Sequence, residues 1–257
     1  MKRKYYSLAE IKKAYNESED VEFYRYSIAR FLFRPLSFYG AWVFLRMGIT
    51  ANQTTLLSWL MVIFGCFLYL FIPPSSSWIP ILLILGWAIL DYMDGSMARV
   101  TNSRSKYGHF IDVIGAYFML AFLPICLGIG LYNFPDYSLA NLLNIMSLEY
   151  KVDSSLVLIL GAFASLNNIL LRLIVMRMQH TFSIDPRENK KSDTGYMASI
   201  FTWVEALISP RGVFFPMLIL LTILNKLELF ILIYFIFYTS ALLAYVAMYT
   251  YKLRNIV

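Results

Sequence analysis

Cysteine and charge are both scarce in this 257-residue chain. Its two cysteines, Cys66 and Cys126, each lie inside an apolar stretch, read as small buried hydrophobes and carry no information on redox compartment. Asp, Glu, Lys and Arg make up only 15% of the residues against 59% hydrophobic ones. With a mean hydropathy of +0.61, there is more apolar surface than a soluble domain of this size buries in one core, so a bilayer must solvate the remainder. No Pro/Gly/Ser linker, internal repeat or low-complexity tract interrupts the chain. Length alone permits two domains, but the charged cluster shared by the second and third spans favours a single integral membrane domain over residues 1–257. The N-terminus has no apolar run followed by small residues, which argues against a cleavable signal and for a retained, cytoplasmic start. A concentrated basic face is missing too: the net charge of +6 is spread over the ends of apolar segments. That distribution excludes nucleic acid as the expected partner and suits anionic lipid headgroups.

What is present is a series of long hydrophobic runs. A helix needs about 20 mostly apolar residues to cross the hydrocarbon core, and six segments qualify as spans. Residues 54–72 are free of charge and end at Pro73-Pro74-Ser75-Ser76-Ser77, which starts the return helix near Trp78. That second span meets Asp91 and must continue through Asp94 to about Arg99. The third covers residues 108–132 with Asp112 near its start. The fourth covers residues 155–177 and contains Asn167, Asn168 and Arg172. The fifth is short and charge-free from Val213 to Leu224 and needs residues from Ile208 onward. The sixth covers residues 229–251. The expected fold is therefore all-α, with a cytoplasmic or interfacial segment over residues 1–50 and a six-helix membrane core over residues 51–257. Within the first segment, residues 21–47 mix Phe, Tyr, Leu and Trp with Arg25, Arg30, Arg34 and Arg46, the composition of a helix lying in the headgroup plane.

Orientation follows from the basic residues. With the N-terminus inside, nine Lys and Arg precede the first span, and Arg99, Arg104, Lys106, Arg177, Arg187, Lys190, Lys191, Arg211, Lys252 and Arg254 share that side. The opposite side keeps Lys151 and Lys226, so the positive-inside rule predicts both termini and the second-to-third loop in the cytoplasm.

The chemistry concentrates around that loop. Asp91-Tyr92-Met93-Asp94-Gly95-Ser96-Met97-Ala98-Arg99 is followed, after eight residues, by Gly108-His109-Phe110-Ile111-Asp112-Val113-Ile114-Gly115-Ala116. So short a connection makes the two helices antiparallel neighbours, and Asp91, Asp94 and Asp112 can converge. Asp91 and Asp94 share a helix face one turn apart. Three carboxylates near a bilayer interface repel one another and need compensation by cations, protons or arginine. All-oxygen ligands with no nearby Cys favour Mg²⁺ or Mn²⁺ over zinc. Gly95, Ala98 and Gly108 are small where a flat ligand or another backbone must approach, although close helix packing in a membrane uses small residues as well.

This segment resembles the signature of the CDP-alcohol phosphotransferase family: two Asp separated by two residues, then Gly, Ala-Arg, Gly and two further Asp. Asp91, Asp94, Gly95, Ala98, Arg99, Gly108 and Asp112 fall at seven of its eight fixed positions. The resemblance implies two divalent ions on Asp91, Asp94 and Asp112 and a CDP-linked lipid or alcohol held by Asp91, Gly95, Ala98, Arg99 and Gly108. It also implies attack of an acceptor hydroxyl with release of CMP, and a homodimer. CDP-diacylglycerol is the expected donor, and the compact length and lack of targeting signals suggest a prokaryotic plasma membrane.

The eighth position holds Ala116 instead of the family's fourth Asp, its proposed general base. Altered chemistry with Asp112 or His109 serving as base, and a membrane protein that binds a CDP-lipid without catalysing, both remain open. A transporter is a third reading, motivated by Arg172 and the Asn pair within a span. Acceptor-side candidates are Arg172, with Asn168 one turn before it, and Arg211, after Ser209-Pro210. Snorkelling of Arg172 toward Arg177 is the alternative for the first. His180 and residues 185–193 read as a solvated cytoplasmic connection.

Overall fold

The computed structural model describes residues 6–17, 28–134, 155–182 and 213–254. Among the described residues every long element is a helix: α1 (Leu8–Asn16), α2 (Ile28–Met47), α3 (Ala51–Leu68), α4 (Trp78–Val100), α5 (Lys106–Asn133), α6 (Ser155–Phe182), α7 (Phe214–Ile223) and α8 (Leu227–Arg254). Five of them, α3, α4, α5, α6 and α8, are long and apolar enough to cross a membrane. The chain is thus an all-α integral membrane protein. The expected fifth span appears as α7, ten residues long. Residues 208–212, Arg211 among them, lie outside the described residues, as do residues 185–193.

Local chemistry fixes the helix ends. The Ser7 side chain accepts from the Glu10 backbone while the Glu10 carboxylate accepts from the Ser7 backbone, a reciprocal cap that starts α1. Thr50 and Gln53 do the same for α3, at 3.3 and 2.9 Å. Helix α2 ends at Gly48, whose φ of 82° is cheap only for glycine. The Ile49 N–H then reaches back to the Phe44 carbonyl at 2.9 Å, closing a Schellman turn. Asn102 (φ 52°) and Asn225 (φ 51°) end α4 and α7 in the same way.

By internal contacts the chain forms two compact units. The first comprises Met1–Gly65, Ile79–Ala116 and Val204–Ile219. Its core joins Ile11 and Tyr15 of α1, Phe38 and Ala41 of α2, and Leu90, Met93 and Met97 of α4. Helix α1, which lies within the segment expected to be cytoplasmic or interfacial, packs on α2 through the buried Ile11 and Tyr15. Helix α2 departs from a simple interfacial helix: Phe33, Arg34, Ser37, Phe38 and Ala41 form a buried face, while Phe31, Leu36, Tyr39, Val43 and Met47 form an exposed apolar one. Phe215 of α7 stacks edge-on to Phe33 at 5.2 Å.

The second unit comprises Cys66–Trp78, Tyr117–Trp203 and Leu220–Val257. Here α6 packs along α8, joined by buried side-chain bonds from Asn167 Nδ2 to Thr239 Oγ1 and from Asn168 Nδ2 to the Tyr234 hydroxyl, each 2.7 Å. Such interhelical bonds contribute about 0.6–2 kcal/mol in a membrane. Helix α5 meets α6 at Gly128 and Gly161, and a Cβ at Gly161 would sit 2.5 Å from the Pro124 carbonyl oxygen. A backbone atom cannot swing aside as a side-chain tip can. Gly161→Leu is therefore expected to separate the two helices at a cost of about 1–3 kcal/mol or more, read as a lower thermal midpoint in detergent. An unchanged midpoint would contradict this contact.

Candidate active site

Every motif position from Asp91 to Ala116 falls in the first unit, on α4, the 101–105 turn and the start of α5. Leu, Ile and Ala carry α4 up to the carboxylates, and the Asn102 turn stops it just after Arg99. Helix α5 then begins at once, because Ser105 Oγ accepts the Gly108 N–H at 2.9 Å. Gly108 thus has a local structural duty, and a Cβ there would come within 3.2 Å of that same hydroxyl.

Asp94 is the most enclosed of the three carboxylates, 7% exposed, while Asp91 and Asp112 are half-buried. Asp94 lies within electrostatic reach of Asp112, which repels it, and of Arg99, which attracts it. Its Oδ2 also accepts the Thr55 hydroxyl of α3 at 2.5 Å. The Arg99 guanidinium folds back one turn along α4, so a Cβ at Gly95 would meet Nη2 at 3.3 Å. Gly95 therefore leaves room for Arg99 beside the carboxylates. Ala98 is half-buried on the same helix, and Ala116 is half-buried one turn beyond Asp112. His109 is exposed.

The structure brings Asp94, Asp112 and Arg99 together and puts Asp91 one turn before Asp94. Among the described residues no three His, Cys, Asp or Glu side chains close into a set of metal ligands. The chemistry of the donors nevertheless fits a hard divalent ion: carboxylate and hydroxyl oxygens, two acids within electrostatic reach of each other, and no cysteine in the segment.

Thr55 escaped the sequence reading. Thr55 follows Thr54 near the start of a mostly apolar helix, where neither carries a periodic signal, and only the tertiary fold aims Thr55 at Asp94. Hydroxyls that orient a ligating carboxylate typically matter about 10–100-fold to metal affinity or activity. Thr55→Val, nearly the same in shape, is expected to weaken any divalent-ion binding at Asp94 by about that factor, with Thr55→Ser restoring most of it. Equal half-saturating metal concentrations for all three proteins would remove Thr55 from the site.

Arg172 belongs to the second unit. Its Nε donates to Asn168 Oδ1 at 2.9 Å, one turn back along α6, and its guanidinium lies 5.2 Å from the Tyr117 ring centroid. The side chain is drawn toward the Asn168–Tyr234 pair instead of toward Arg177. Asn168 is fully buried and uses both ends of its amide, which fixes the arginine's direction. His180 lies near the end of α6 and its side chain is outside the described residues.

The family model of CDP-alcohol phosphatidyltransferases matches residues 48–250, most of the chain and the whole of the motif. Over 66 residues the chain is 38% identical to the archaetidylinositol phosphate synthase of Pyrococcus horikoshii. That stretch is 26% of this chain and spans 34% of the relative, about a third of its length. With the family's segment spread across the end of α4 and the start of α5 and the match extending through α8, the chain belongs to the CDP-alcohol phosphatidyltransferase family.

Proposed function

We propose that this protein transfers a substituted phosphate from a CDP-linked lipid to an acceptor alcohol and releases CMP, as a step in phospholipid biosynthesis. The observation that carries the reading is the burial of Asp94 at the turn between two membrane helices, bonded to Thr55 and within electrostatic reach of Asp112 and Arg99. An acid buried in that company has little structural use, because it faces a second acid, and much use as a holder of cations.

Asp91, Asp94 and Asp112 would hold two divalent ions, Mg²⁺ or Mn²⁺, whose chemistry when bound is to neutralise the diphosphate of the donor. Gly95, Ala98 and Gly108 offer the cytidine a surface with few side-chain atoms, and Arg99 adds a cation beside the phosphates. The acceptor oxygen forms its bond to the phosphorus that bears the lipid, and the bond from that phosphorus to the CMP oxygen breaks. CMP leaves with the electron pair, and the hydroxyl proton must be taken up. With a methyl group at position 116, Asp112 is the carboxylate nearest in the helix and is assigned as base; His109, exposed one turn before it, is the alternative.

Arg172, aimed by Asn168, and Arg211 are assigned to an anionic acceptor. The name of the Pyrococcus relative makes an inositol phosphate the first acceptor to try, and both diacylglycerol and archaeol-type lipids are donors to compare. The distribution of Lys and Arg supports a cytoplasmic site with both termini on that side, compact length favours a prokaryotic plasma membrane, and family likeness supports a homodimer. A second reading, CDP-lipid binding without turnover, is favoured by Ala116 alone.

The experiment is to supply labelled CDP-lipid with glycerol phosphate, inositol phosphate, serine, choline or ethanolamine and identify the labelled lipid by mass spectrometry. One acceptor should yield a phosphodiester lipid. Consumption of the donor that ignores every acceptor would sink the transferase assignment.

A further inference from the structure

Arg34 lies on α2, outside the region matched by the family, and the fold buries it to 4% exposure. Its guanidinium carbon is 4.2 Å from the ring centroid of Tyr15 on α1 and 4.5 Å from that of Tyr92 on α4, a cation held between two aromatic faces. Nη1 lies 3.4 Å from the Tyr92 carbonyl oxygen and 3.4 Å from Ser96 Oγ. The Ser96 hydroxyl in turn donates to the same Tyr92 carbonyl at 2.9 Å. That carbonyl, one residue after Asp91 and two before Asp94, thus receives an arginine N–H and a serine O–H besides its place in the helix.

Extra donors on a helical carbonyl tilt the peptide and bend the helix locally. The turn on which these donors act is the one that carries both Asp91 and Asp94. Tyr15 also reaches the motif itself, since the Arg99 guanidinium carbon lies 5.4 Å from its ring centroid. Filling a gap between α1, α2 and α4 would need only an apolar side chain of similar volume, which avoids the desolvation cost of a buried charge. What the arginine adds is directed donors at one carbonyl.

We propose that Arg34, held by Tyr15, is a positioning residue for the donor site: it clamps the Tyr92–Ser96 turn of α4 and thereby sets the geometry in which Asp91 and Asp94 hold cations. The inference rests on the reading of those carboxylates as metal-holding, and its test is a binding measurement that requires no turnover. Mn²⁺ is titrated into the purified full-length protein, and free Mn²⁺ is followed by its electron paramagnetic resonance signal, together with the thermal midpoint of the metal-free protein.

Arg34→Lys keeps the charge but loses the planar, stacked fork. It is expected to weaken Mn²⁺ binding about tenfold, the scale of a lost outer-shell partner, with a midpoint close to that of the unaltered chain. Tyr15→Leu leaves Arg34 in place, removes one face of the sandwich and should weaken binding in the same direction; it also serves if Arg34→Lys does not fold. Variants that bind Mn²⁺ as tightly as the unaltered chain, whether or not their midpoints fall, overturn the proposal and make the clamp merely structural. An unaltered chain that takes up no Mn²⁺ overturns the metal-holding reading itself, and the inference with it.

Discussion

Asp94→Ala is expected to abolish metal-dependent CMP release, with a fall in kcat/KM of at least about 10³-fold, because a ligand to ions that stabilise transition-state charge accounts for several kcal/mol. The same change should leave the metal-free protein as stable as before or more so. In the folded protein Asp94 is enclosed within electrostatic reach of Asp112, so removing it relieves a desolvation cost and a repulsion, the two larger effects, and forfeits the bond from Thr55, a backbone bond from Gly95 and the attraction of Arg99. Lost activity with a held or raised thermal midpoint is the signature of a site that trades stability for function. A variant that is inactive only because it unfolds would mean that Asp94 is structural.

The second large effect is a gain. Ala116→Asp puts a carboxylate one turn beyond Asp112 on the same face of α5, and a positioned base contributes about 10²–10⁴-fold to a proton-transfer step. Turnover by the variant is expected to rise by about 10² or more, while without metal its thermal midpoint falls, because a further acid joins the cluster. The check is a side-by-side assay of CMP release at saturating donor and metal. Equal rates would show that position 116 takes no part in the reaction and that the base lies elsewhere.

Much of this was legible in the sequence for a plain reason. Membrane helices announce themselves by composition over some twenty residues, so the segments that became α3, α4, α5, α6 and α8 were found with ends only a few residues away. The motif was legible because its spacing is fixed by two helix ends facing each other across a five-residue turn, the Asn102 stop and the Ser105 start. Other features depend on who meets whom in three dimensions. The Ser7–Glu10 cap and the apolar spacing of Leu8, Ile11 and Tyr15 did mark α1, but its high polarity masked them. Arg34 read as a headgroup-facing arginine because flanking basic residues usually are; its aromatic partners lie 19 residues before it and 58 after it. Thr55 and Tyr234 gave no signal at all, since one polar atom in an apolar helix becomes meaningful only beside Asp94 or Asn168.

The central claim is cleavage of a CDP-linked lipid, and the most direct measurement is CMP appearance when the purified, unaltered chain is given CDP-diacylglycerol or its archaeol counterpart. CMP should form with Mg²⁺ or Mn²⁺ and an acceptor present, in step with a new phosphodiester lipid, and should stop on chelation. Saturable binding of the CDP-lipid with no CMP, in both the unaltered chain and the Ala116→Asp variant, would contradict the transferase account and leave a binding protein in its place.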